Sequence, residues 1–86
     1  MKINLHIQFE DGTAKDVKCN AADLVAFERE YDVSVAKLGD DPRVGWLLYL
    51  AWHSEKRTGS TKESYEKWLE KVETVGESDE DPKSKG

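Results

Sequence analysis

Seven consecutive residues, Trp46-Leu47-Leu48-Tyr49-Leu50-Ala51-Trp52, carry no charge, and they constrain what a chain of 86 residues can become. A domain of this size buries only about 60% of the surface its unfolded chain exposes, so such a run has to supply much of a thin core. At about 100° per residue, Val44, Leu47, Leu48 and Ala51 share one helical face. Trp46 and Leu50 lie on the opposite side near His53 and Arg57, with Tyr49 and Trp52 between. The middle of this helix is therefore apolar nearly all round and needs cover on several sides. Either neighbouring elements cover it all, or one face is a subunit or partner interface. Trp, Tyr and Arg are the residues that most often anchor interfaces. The interface candidates are Trp46, Tyr49, Leu50, His53 and Arg57.

The flanking segments supply the rest of an α+β fold. Ile3, Leu5, Ile7 and Phe9 alternate with Asn4, His6, Gln8 and Glu10, the period of a half-buried strand. Asp11-Gly12 is a hairpin turn signal, and Thr13 to Cys19 returns with Val17 and Cys19 inward. Asn20 can cap a first helix from Ala21 to Tyr31, with the acid Asp23 three residues later near its N-terminus, and Leu24, Phe27 and Tyr31 share a face of it. Residues 32–39 read as a connector. Asp41-Pro42 is placed to start the central helix, which runs to Arg57 before a capping Gly59. Gly45 inside it marks close approach of another backbone or a weak first turn. Ser60 and Glu63 fit a capping box for a third helix, whose Tyr65, Trp68, Leu69 and Val72 recur at helical spacing. Residues 76–86, GESDEDPKSKG, hold no large apolar side chain and read as a disordered acidic tail. The expected architecture is an N-terminal antiparallel β-hairpin packed on about three α-helices, one domain over residues 1–75 followed by that tail.

Composition narrows the function. The net charge of -5, from 18 acidic against 13 basic residues, argues against general binding to nucleic acid or anionic membranes. The single Cys19 allows no internal disulfide, and with neither a signal peptide nor an apolar run of membrane-spanning length the expected compartment is the cytoplasm. No nucleophile elbow, phosphate loop or dinucleotide motif occurs, and His6 and His53 lack the companions of a metal site. His6 reads as a solvated strand residue, His53 as a capping or interface group, and Cys19 as a small buried hydrophobe. No catalytic residue, cofactor or metal is expected.

Three landmarks in order, Ala22-Asp23-Leu24-Val25-Ala26-Phe27-Glu28-Arg29 after a hairpin, the Trp46–Trp52 run, and Tyr65-Glu66-Lys67-Trp68-Leu69 before an acidic tail, resemble the small tail assembly chaperones of long-tailed (siphovirus) bacteriophages. The resemblance covers about residues 1–75. It implies a non-enzymatic protein of the infected bacterial cytoplasm that is absent from the mature virion. It implies binding to the tape measure protein, a long, largely helical and apolar polypeptide, recruitment of the major tail tube protein, and self-association. Many members also exist in a longer form made by programmed frameshifting. The competing reading is a small acidic regulator or inhibitor of a host protein, a nucleic-acid mimic being one form. Lys and Arg interleaved with the acids of the third helix count against a continuous negative face.

Overall fold

Strands β1 (Ile3–Phe9) and β2 (Ala14–Cys19) form the antiparallel hairpin that the alternation and the Asp-Gly pair require. The computed structural model describes residues 3–40 and 42–77. In the turn, Gly12 takes a φ of 93°, where a side chain would be strained, and Asp11 Oδ1 accepts from both Thr13 N (2.9 Å) and Thr13 Oγ1 (2.7 Å). Those bonds hold the Asp11 carboxyl below its ordinary pKa. Leu5, Ile7, Val17 and Cys19 point to the same side and are buried. His6, Gln8, Asp16 and Lys18 point to the other side, which is open to water.

Helix α1 (Ala21–Tyr31) has the expected limits. Asn20 Oδ1 accepts from Ala22 N and Asp23 N, and Asp23 Oδ2 accepts from Asn20 N at 2.9 Å, closing a capping box. The helix ends at Asp32, whose left-handed φ of 53° lets its N–H reach Glu28 O. The connector is not featureless: it contains a short helix, α2 (Ala36–Asp40), which sets Leu38 into the core. Ser34 Oγ accepts from Ala36 N at its start.

The central helix α3 (Val44–Arg57) begins two residues later than expected. Arg43 is extended, and its carbonyl takes the first helical bonds from Trp46 N and Leu47 N, so Pro42 stands outside the helix. The expected cap Asp41 lies outside the described residues. At the other end Thr58 Oγ1 donates to Ser54 O, and Gly59 has the positive φ (84°) of a C-terminal cap.

Beyond α3 the expectations fail in two places. Ser60 caps nothing: its N–H donates to Glu55 O and belongs to the end of α3. The next helix, α4 (Tyr65–Leu69), is one turn long and is capped by Ser64, which accepts from Lys67 N. Val72 leaves the helical stripe and opens a third strand, β3 (Val72–Glu77), which pairs antiparallel with β1. Gly76 and Glu77, expected in the tail, belong to that strand; the rest of the expected tail, residues 78–86, lies outside the described residues.

The sheet order is β2-β1-β3 and α3 crosses its buried face, touching all three strands. Leu5, Ile7, Val17, Cys19, Leu24, Phe27, Leu47, Leu50, Ala51 and Trp68 form one continuous core. Lys15 also points inward, opposite Ile7, but at the sheet edge, where Glu55 of α3 answers it at 3.1 Å. The fold is α+β, a three-stranded antiparallel sheet under four helices.

Candidate protein-binding face

Which side of α3 meets the sheet decides what remains outside. The buried positions are Leu47, Leu50, Ala51 and Ser54, spaced i, i+3, i+4 and i+7. The expected core face, centred on Val44, Leu47, Leu48 and Ala51, is thus turned by about 60° about the helix axis. Val44 is 64% exposed, whereas Leu50 is fully buried and leaves the set of interface candidates. The cause is local fit. Ala51 and Ser54 are small enough to let α3 approach the sheet, and both polar contacts there use main-chain carbonyls: Ser54 Oγ donates to Lys18 O and Cys19 Sγ to Leu50 O.

Trp46, Tyr49 and His53 then lie along the opposite side, each half-buried, with Trp52 beside them. Tyr31 from α1 and Tyr65 from α4 extend this surface. Tyr49 stands at its centre, with ring centroids 5.5 Å from Tyr31, 5.7 Å from Trp52, 5.8 Å from Tyr65 and 6.0 Å from His53. Trp46 packs edge-on to Phe27 at 5.5 Å, tying the patch to the core. Such tilted and edge-on contacts hold aromatic groups rigid at little entropic cost on binding. Two of the polar atoms have main-chain partners, Trp52 Nε1 donating to Glu63 O and Tyr65 Oη to Gly45 O. Burial raises the phenol pKa values of Tyr31, Tyr49 and Tyr65, so these side chains stay neutral donors at physiological pH. A Cβ on Gly45 would meet nothing, so this glycine reflects a weak first turn rather than close backbone approach.

His53 and Arg57 meet on a residue the sequence reading treated only as a helix-terminal acid. Asp23 is fully buried; His53 Nδ1 lies 2.6 Å from Oδ1, while Arg57 Nε and Nη2 donate to Oδ1 and Oδ2 at 3.1 and 2.9 Å. Burial alone would raise the Asp23 pKa, but the bonds from Arg57, His53 and Asn20 outweigh it and hold the carboxyl below its ordinary value. A carboxylate can only accept, so Nδ1 of His53 carries the proton in this contact. Arg57 is therefore a structural clasp between α1 and α3, and His53 is clasp and surface group at once.

The remaining chemically notable groups lie elsewhere. His6 is exposed on the outer sheet face and pairs with Asp16 at 2.7 Å. Cys19 is buried, and burial together with the nearby Asp23 charge pushes its thiol up to about 12. Among the described residues no three metal-ligating side chains converge, and no helix is long and apolar enough to cross a membrane. Compared with protein-family models, curated proteins and solved structures, the chain matches none.

Four of the five candidates, Trp46, Tyr49, His53 and Arg57, do stand on one side of α3. Sequence reasoning missed Trp52, which it placed between the two faces of the helix, and Tyr31 and Tyr65, which it set in the apolar stripes of other helices. Tyr49 and Trp52 are three residues apart, so their adjacency was legible; the arrival of Tyr31 and Tyr65 from other elements was not.

Proposed function

We propose that this protein is a non-enzymatic tail assembly chaperone of a long-tailed bacteriophage. In this reading it binds the tape measure protein and keeps it soluble in the host cytoplasm, and it leaves before the virion is complete. The major tail tube protein is its second partner, and the chain self-associates. The observation that carries the reading is the half-buried aromatic face of α3, in which Trp46, Tyr49 and Trp52 pack against the core and keep part of their surface open to solvent. A client that is helical and apolar needs a surface of this kind, since amphipathic helices bind by laying aromatic and aliphatic anchors against a complementary groove. Two further features favour it: the resemblance of the Ala22–Arg29, Trp46–Trp52 and Tyr65–Leu69 landmarks to that family, and an acidic exterior that keeps a client complex dispersed.

The test is co-expression with the tape measure protein of the same phage. The expected outcome is a soluble client that co-purifies with this chain. An insoluble client and no complex would refute the proposal.

A further inference from the structure

The charges of α3 are unevenly placed. Its acidic residue, Glu55, is turned to the sheet and paired with Lys15, so it contributes nothing outward. The outward charges are positive. The Arg43 guanidinium lies 5.6 Å from the Trp46 ring centre at the start of the helix, and Lys56 Nζ lies 5.3 Å from the Trp52 ring centre near its end. Among the described residues neither cation forms an ion pair, unlike Arg57, which is held by Asp23. The acids around the face stand by its tyrosines or are already paired: Glu30 adjoins Tyr31 and Tyr49, Glu66 adjoins Tyr65, Asp23 is held under His53 and Arg57, and Glu63, beside Trp52, pairs with Lys71 at 2.9 Å. A chain of net charge -5 thus shows an aromatic strip with a cation at each end. Arg43 and Lys56 are about 20 Å apart along the axis at 1.5 Å per residue.

We propose that this strip takes an amphipathic α-helix of another protein, with an apolar stripe between two carboxylates about fourteen residues apart, a spacing of about 21 Å that keeps both on one face. The carboxylates meet Arg43 and Lys56, and the apolar stripe covers Trp46, Tyr49 and Trp52. Stacking on indole holds each cation in place, which lowers the entropy lost when a carboxylate engages it. The inference rests on the proposed client binding and adds the charge pattern of the segment bound.

The probe is a helical peptide of about eighteen residues, long enough to span the strip. It carries one leucine stripe and Glu at the two positions facing the cations; a matched peptide carries Lys there. Binding is read from Trp fluorescence of the intact chain. The Glu peptide is expected to bind about tenfold more tightly than the Lys peptide, with the preference reversed in Arg43→Glu/Lys56→Glu. Both positions are exposed, and circular dichroism checks that the variant keeps its fold. Equal binding of both peptides, no binding of the Glu peptide, or self-association that buries the strip against a second copy would each overturn the inference. Co-expression separates the two proposals: a client that the native chain cannot solubilise refutes the chaperone reading, whereas one solubilised equally by the charge-reversed variant refutes the cation pattern alone.

Discussion

Asp23→Asn keeps the size of the side chain and removes its charge, which isolates what the clasp contributes. The native carboxylate accepts from Asn20 N, His53 Nδ1, Arg57 Nε and Arg57 Nη2 at 2.6–3.1 Å. An asparagine retains one oxygen and aims an NH2 group at donors. Breaking a buried ion pair by removing one partner costs about 3–5 kcal/mol. The Arg57 and His53 side chains are 30% and 29% exposed, so water takes over part of their solvation and the lower end applies. The expected loss is about 3 kcal/mol, or a fall in Tm of roughly 15 °C for a chain of this length. The pH dependence has a definite sign. Because folding lowers the Asp23 pKa, its contribution is complete above the unfolded value of about 3.9 and is lost as pH falls through that value towards the folded one. Thermal unfolding followed by circular dichroism should show the largest gap between native and variant chains near neutral pH, narrowing below about pH 4. A gap under about 1 kcal/mol at pH 7, or one unchanged in acid, would refute the clasp.

Other substitutions report on other parts of the account. Gly45→Ala should stabilise the chain by up to about 1 kcal/mol, because the site is helical and open; a lower urea midpoint would contradict that. Leu50→Ala should cost about 2–5 kcal/mol, as for a core leucine, and a loss below 1 kcal/mol would restore Leu50 to the surface. Cys19 should react with a thiol reagent only as fast as the protein unfolds, since its sulfur is buried and its pKa lies near 12; rapid labelling of the folded chain would contradict its burial.

How much was legible depended on whether a segment's own residues settled its structure. The hairpin and α1 were readable because alternation, Asp11-Gly12 and the Asn20–Asp23 cap each specify local geometry. The phase of α3 was not, because a run apolar on all sides has no preferred inward face. The small Ala51 and Ser54 side chains and the strands beneath made that choice. Strand β3 was hidden by coincidence, since Val72 completes a helical stripe with Tyr65, Trp68 and Leu69. The β-branched residues Val72, Thr74 and Val75 were the available signal, and pairing with β1 prevailed over the helical pattern. Within the site, Asp23 was visible as a capping residue, but its burial under His53 and Arg57 depends on packing α1 against α3, which single-segment periodicity does not encode.

The central claim is that the aromatic side of α3 is a protein-binding surface, and the three tryptophans test it without any mutation. Trp46 and Trp52 lie on the face, while Trp68 is 2% exposed and packs edge-on to Phe9 in the core. Each indole N–H gives its own NMR signal, and the spectrum can be followed as the tape measure protein is added. The account predicts that the Trp46 and Trp52 signals shift or broaden while that of Trp68 stays in place. Unmoved Trp46 and Trp52 signals in a formed complex, with changes instead at His6 and Gln8 on the outer sheet face, would contradict it.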